Sequence, residues 1–102
     1  MLIRATLKGD TTHINVFLRH PMETGRRKNI EGEIVPQHFI KSVVVTHNEK
    51  TVVDAQLSQG VSRNPLLGLR IKGAKTGDKI AVSWVDSEGD TRSGEATVTA
   101  AA

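Results

Sequence analysis

The chain has 102 residues, a formal net charge of +3 and no cysteine. A chain of this length fits a single domain over residues 1–102, held by one compact aliphatic core. The lack of cysteine excludes a disulfide framework and any thiol chemistry of the chain's own. Aromatic residues are only 3% of the sequence, and basic and acidic residues alternate, which favours solubility over a dedicated polyanion site.

No stretch approaches the roughly 20 apolar residues of a membrane helix, so we expect no membrane contact. Residues 1–6 show no basic region followed by an apolar run, which an export signal would need. The sequence by itself therefore predicts either a cytoplasmic protein or one exported by a route that the chain does not encode.

Alternation of apolar and polar residues recurs along the chain, whereas helix periodicity does not. It predicts strands that begin near residues 2, 14, 40, 51, 66, 79 and 91. Turn-forming residues separate several of these strands, at 8–10, 73–78 and 86–90. Together they predict an all-β fold, an antiparallel immunoglobulin-like β-sandwich of about seven strands.

The longest connection, residues 20–38, breaks the regular spacing of the strands. It holds Pro21, Pro36, Gly25 and Gly32 beside a cluster of charges. Long loops in compact domains are usually functional or disordered. We therefore expect either an ordered excursion or a mobile flap at this position.

The strand that follows the loop carries Val43, Val44 and Val45 in succession, so apolar side chains point to both faces of its sheet. Two explanations are open for the second face. Either a loop of the same chain folds over it, or a partner protein packs there.

The sequence lacks the motifs of nucleophilic catalysis, because it has no nucleophile elbow, no Ser-x-x-Lys and no Cys-His pair. Gly68, Gly73 and Gly77 form neither a dinucleotide fingerprint nor a P-loop. The carboxylates of the predicted turn at 86–90 would need an apolar pocket for acid–base work, and a short turn favours hydrogen bonding to its own backbone. We expect no catalytic residue and no cofactor.

Metal and nucleic-acid binding are also disfavoured. The spacings of the four histidines match no recognised zinc pattern; these are His13, His20, His38 and His47. The basic triplet at 26–28 indicates a solvated loop or, as the alternative, docking to an acidic partner. Three aromatic residues without tyrosine cannot build a base-stacking sheet, so no nucleic-acid partner is expected.

One motif resembles a known family. Residues 18–27 read Leu-Arg-His-Pro-Met-Glu-Thr-Gly-Arg-Arg, which resembles the SoxZ family, the small subunits of the SoxYZ sulfur-carrier complex of thiosulfate oxidation. Segments 34–40, 61–65 and 82–89 are similar to the family in order and spacing, so the likeness extends over about residues 14–99. The chain departs from the family at Leu66 and Leu67, where an aromatic residue is expected after Asn-Pro.

The resemblance implies an immunoglobulin-like sandwich that binds a SoxY-like chain as a heterodimer and supplies no catalytic residue. In the family, SoxY carries sulfur intermediates on a cysteine of its flexible C-terminal arm, and the complex makes transient contact with other Sox enzymes. Family members lack an export signal and cross with their partner, which implies the periplasm. An isolated chain would expose its partner-binding surface and could pair into a homodimer without physiological role.

The candidate partner-binding residues come from the motif, the doubly apolar strand and the turn before the fifth strand. They are His20, Pro21, Met22, Glu23, Arg26, Arg27, Val43, Val45 and Asn64. Pro21 favours an extended His20, and Gly25 permits a positive φ, so the motif is expected to form a rigid turn that presents Met22, Glu23 and Arg26. His20 is either an interface residue or an internal brace. The alternative function is a stand-alone immunoglobulin-like module that binds a protein or a carbohydrate.

Overall fold

A computed structural model of the chain describes residues 1–58 and 60–101. Within these residues there are eight strands and no helix, and hence no helix long and apolar enough to cross a membrane. The strands are β1 (Leu2–Lys8), β2 (Thr11–Phe17), β3 (Ile40–His47), β4 (Lys50–Gln56), β5 (Leu66–Lys72), β6 (Lys79–Asp86), β7 (Thr91–Thr97) and β8 (Thr99–Ala100). The seven predicted strands are confirmed, and the two-residue β8 is an addition.

The strands form two four-stranded sheets, in the orders β5-β2-β1-β8 and β4-β3-β6-β7. Neighbouring strands are antiparallel, except that β8 runs parallel to β1. The grouping of β1, β2 and β5 against β3, β6 and β7 corresponds to strands A, B and E against C, F and G of immunoglobulin-like sandwiches. The predicted all-β sandwich is therefore confirmed.

The core between the sheets consists mainly of branched aliphatic side chains that alternate along the strands. Its fully buried members include Ile14, Val16, Ile40, Val43, Val45, Ile80, Val82 and Val98. Trp84 is buried as well, whereas Phe17 is exposed and Phe39 is partly buried. Thr12 is also fully buried, and its hydroxyl oxygen has no hydrogen-bond partner.

Val43 and Val45 point into this core and have no exposed surface. Only Val44 lies on the outer face of its sheet, where it is half-buried. Val43 and Val45 are therefore inaccessible to a partner, which corrects their prediction as partner-binding residues. The run of three valines places one apolar side chain on the outer face, and not a continuous apolar stripe.

The connection between β2 and β3 is an irregular hairpin that folds back on itself. Glu23 and His38 exchange two backbone hydrogen bonds, at 2.6 and 3.0 Å, and Val35 donates to the Arg27 carbonyl at 2.7 Å. Near the tip, the Asn29 side-chain oxygen accepts hydrogen bonds from the amides of residues 31 and 33. The structure thus shows the ordered excursion and not the mobile flap.

Candidate functional site

Three segments that are distant in sequence meet at one end of the sandwich, which we call the motif end: residues 18–24, 61–65 and 84–92. The His20 amide donates to the Asn64 side-chain oxygen, and the Asn64 amide donates back to the His20 carbonyl, both at 2.9 Å. The Leu18 amide donates to the Pro65 carbonyl at 2.9 Å. The family-like segments therefore form one spatial unit.

A buried hydrogen-bond network centred on Asp86 joins the long loop to the β6–β7 hairpin. His20 Nδ1 accepts the Met22 backbone N–H at 3.0 Å, so the ring proton of a neutral His20 lies on Nε2. This Nε2–H donates to Asp86 Oδ2 at 3.1 Å, and His38 Nε2 approaches the same oxygen at 2.7 Å. His20 is 3% exposed and Asp86 is 2% exposed, so His20 is an internal brace and not an interface residue.

The other carboxylate oxygen of Asp86 organises the turn. Asp86 Oδ1 accepts the backbone N–H groups of Glu88 and Asp90, at 3.0 and 2.9 Å. The predicted hydrogen bonding of this turn to its own backbone is therefore confirmed. The two histidines and Trp84 enclose the carboxylate, with the His20 ring edge-on to His38 at 4.5 Å and to Trp84 at 5.2 Å.

These contacts fix the protonation state of Asp86. Burial is the strongest single influence and disfavours the charged carboxylate, but the hydrogen bonds from His20, His38 and the two amides together outweigh it. They lower the pKa of Asp86 to about 2. At neutral pH the network is therefore built around a buried carboxylate, whose charge is compensated by four donors.

His20, His38 and Asp86 also place three potential metal ligands within 4.8 Å of one another. A histidine that binds a metal through one ring nitrogen normally donates a proton from the other. His20 Nδ1 instead accepts a backbone N–H, so its Nε2 carries the proton and offers no lone pair. The set fits a hydrogen-bonded brace and does not fit a metal centre.

Met22 is buried as well, in spite of its place in the motif. It is 5% exposed, its φ is +50°, and its sulfur accepts the Ile40 amide at 3.3 Å. The contacts to His20 and Ile40 hold a backbone conformation that non-glycine residues rarely adopt. Met22 therefore anchors the loop to the core, and its expected presentation to a partner was wrong. The expected positive φ at Gly25 is confirmed, at +83°.

The remaining motif residues lie nearer the surface. Glu23 is half-buried and pairs with Arg27 at 2.8 Å, and the hydrogen bond from Arg27 lowers the pKa of the Glu23 carboxyl. Pro21, Arg26 and Arg27 are exposed. Asn64, also exposed, uses its side-chain oxygen to hold His20. Of the nine candidates, only these four exposed residues and Glu23 are accessible to a partner.

Sequence reasoning missed an exposed apolar row on the outer face of the first sheet. Leu2 pairs with Phe17, and Phe17 pairs with Leu66, so the three side chains lie side by side across β1, β2 and β5. Their exposed fractions are 51, 47 and 56%. The signal was present in the sequence, because Leu2 and Phe17 are out of phase with the core residues of their strands.

The same outer face is basic beyond the apolar row. Arg4, Lys8, Arg70 and Lys72 follow it along β1 and β5, and strands β1, β2 and β5 contain no aspartate or glutamate. A cleft of about 880 Å³ opens beside the row at the motif end. Met1 and Arg19 line both this cleft and a smaller depression against Leu2 and Phe17.

The fold and the site together define a small immunoglobulin-like sandwich whose motif end is held by an internal brace. A family model described as Sulphur oxidation protein SoxZ matches residues 3–97, and the chain belongs to this family. Membership gives the protein a role in sulfur oxidation within a complex that includes a protein partner, and it confirms the identification made from the motif. A search of curated proteins found no match.

Proposed function

We propose that the protein is a noncatalytic scaffold subunit of a sulfur-carrier complex and binds a SoxY-like chain. That chain's C-terminal cysteine arm would carry the sulfur intermediates of thiosulfate oxidation. The family match supports a place in such a complex. The absence of cysteine supports the division of labour, because the chain has no thiol on which to carry sulfur.

The observation that carries the docking part of the proposal is the apolar row. Fully burying a leucine or phenylalanine side chain contributes about 1.5–3 kcal/mol, so burying the exposed half of three such chains contributes about 3 kcal/mol. Phe17 lies in the middle of the row, and a central aromatic residue surrounded by apolar neighbours is typical of an interface hot spot. The row is therefore the contact surface that we propose for the partner.

The basic residues beside the row define the chemistry of the partner. Arg4, Arg70 and their lysine neighbours face outward without any acidic residue on the same strands. A partner surface with an apolar centre and an acidic rim would complement this face. Complementary charges mainly raise the association rate, and salt screens this effect.

Co-expression with a SoxY-like chain tests the proposal. We expect a 1:1 complex that buries more than roughly 1,200 Å². Phe17→Lys should weaken binding at least about tenfold, because it places a charge in the apolar centre. Ser83→Lys is the matched control, since Ser83 is exposed on β6, on the outer face of the opposite sheet.

Analytical ultracentrifugation and titration calorimetry give the outcomes. Absence of association at micromolar concentration would refute the scaffold function. Loss of binding in Ser83→Lys but not in Phe17→Lys would indicate that the partner binds the opposite face and would refute docking on the apolar row. The same sedimentation run on the isolated chain measures the self-association that an uncovered row would cause.

The proposal includes the compartment. The chain would reach the periplasm by co-export with a signal-bearing partner and there make transient contacts with other Sox enzymes. Cell fractionation of strains with and without the partner's signal peptide tests this. Appearance of the chain in the periplasm without that signal would contradict co-export.

A further inference from the structure

The cleft at the motif end has the dimensions of a ligand site. Its volume of about 880 Å³ lies within the range of about 300–1,000 Å³ found for small-molecule pockets. Its buried lining includes His20, Trp84 and Asp86, and its exposed lining includes Arg19 and Arg92. The cleft thus joins a preorganised polar wall to two exposed cationic side chains.

Arg92 occupies an unusual position. It pairs with Trp84 in the β6–β7 ladder, and paired residues of adjacent strands lie on the same face of a sheet. Because the Trp84 ring belongs to the core, Arg92 lies on the inner face, where Gly94 and Ala96 follow it. An inward charge on an edge strand can prevent sheet-edge aggregation, but this explanation does not account for a second arginine across a cleft.

The two arginines are available to a ligand. Within residues 1–58 and 60–101, neither Arg19 nor Arg92 forms a salt bridge with a carboxylate. The Asp86 carboxylate accepts four hydrogen bonds from its own surroundings. Asp90 is the other acidic residue of the lining. The cleft therefore presents two unpaired guanidinium groups against one exposed carboxylate.

We propose that this cleft binds the oxyanion end of a sulfur compound, an S–SO3⁻ group, through Arg19 and Arg92. Guanidinium groups match oxyanions by forked, charge-assisted hydrogen bonds. The choice of a sulfur oxyanion over other anions rests on the proposed function in sulfur oxidation. The S–SO3⁻ group would arrive either as free thiosulfate or at the end of a cysteine-bearing segment, and both sources share the same terminal chemistry.

Titration of the full chain with three probes at constant ionic strength tests the proposal: thiosulfate, S-sulfocysteine and acetate. Backbone amide shifts in NMR report where each probe binds. We expect both sulfur anions to shift amides around the cleft and acetate to bind at least about fivefold more weakly. Tighter binding of S-sulfocysteine supports the cysteine-borne source, and tighter binding of thiosulfate supports the free anion.

Variants assign the effect to named side chains. Arg19→Gln and Arg92→Gln should each weaken thiosulfate binding about fivefold. Arg92→Lys keeps the charge but loses the bidentate guanidinium geometry. Its affinity for thiosulfate should therefore lie between those of Arg92→Gln and the parent chain. Asp90→Asn should strengthen binding about twofold, because it removes the opposing carboxylate. Lys75→Gln is the control, an equal loss of charge in the turn at the opposite end of the sandwich.

Two results would overturn the anion site. One is a loss of affinity in Lys75→Gln as large as that in Arg92→Gln, which would mean a general charge effect. The other is the absence of shifts around the cleft with either sulfur anion at about 10 mM probe, roughly ten times the Kd of a weak millimolar site. Partner binding is measured separately by sedimentation, so a chain that binds SoxY but no anion refutes this site alone.

Discussion

Asp86→Asn is the most informative single change, because it keeps the shape of the side chain but removes the charge at the centre of the brace. The asparagine oxygen can still accept the turn amides that Asp86 Oδ1 holds. In the parent chain Asp86 Oδ2 accepts hydrogen bonds from the Nε2 atoms of His20 and His38. In the variant the asparagine NH₂ group, which is a donor, faces these two Nε2 atoms. A buried donor left without a partner costs about 1–3 kcal/mol, and the loss of charge adds to this cost.

The charge contribution follows from the pKa of Asp86, which the folded protein lowers from 3.8 to about 2. A lowered pKa means that the contribution is fully present above about pH 5 and is lost as the pH falls through 2. One pKa unit corresponds to about 1.4 kcal/mol, so the carboxylate contributes about 2 kcal/mol. We expect Asp86→Asn to lower the free energy of unfolding by about 3 kcal/mol at pH 7.

Urea unfolding at pH 7, 5 and 2 measures both effects. Between pH 5 and 2 the parent chain should lose about 2 kcal/mol more than Asp86→Asn does. Both chains retain Asp78, whose pKa is also lowered to about 2, chiefly by a hydrogen bond from His47, so the variant should keep part of the acid sensitivity. Equal pH dependence of the two chains would refute the charged brace.

Three further substitutions test local features by urea unfolding. Thr12→Val removes a buried hydroxyl without a partner and should stabilise the fold by about 1 kcal/mol; a lower stability would indicate a partner for this hydroxyl. Gly25→Ala should cost about 1–2 kcal/mol, because φ is +83° and the new Cβ would lie 3.2 Å from Gln37 Cβ; a neutral result would show that the loop relaxes. Asn64→Ala should lower the free energy of unfolding by about 2 kcal/mol, because it removes the acceptor of the His20 amide and places alanine at a φ of +50°. Unchanged stability would show that the hydrogen bond between His20 and Asn64 does not stabilise the fold.

The strands were predictable because their signal is local. Ile14 and Val16, like Ile80 and Val82, alternate with polar residues and lie in the core, so period-two patterning located both strands and their inner faces. The parallel pairing of β8 with β1 was not predictable in the same way. It joins residues more than 90 positions apart, and its two-residue length leaves no periodicity to read.

The site was only partly predictable because a motif marks positions and not side-chain directions. The turn of residues 86–90 was identified from local chemistry, but its enclosure depends on His20, which lies 66 residues away in sequence. Met22 was expected on the surface because methionine suits adaptable contacts. The backbone at Met22 adopts a positive φ, which turns the side chain inward, and no residue type near it announces that conformation.

The burial of His20 and Met22 changes how the motif is best connected to function. The His20 and Met22 side chains form their hydrogen bonds within the loop and with β3 and the β6–β7 hairpin. They therefore hold the backbone next to Arg19 and Asn64 in place and do not contact a partner themselves. A surface that is ordered before binding loses less conformational entropy when the partner docks. If the partner is the proposed thiol-bearing chain, the adjoining apolar row and cleft would be held in place for it. A chain without cysteine offers no competing site for thiol–disulfide exchange.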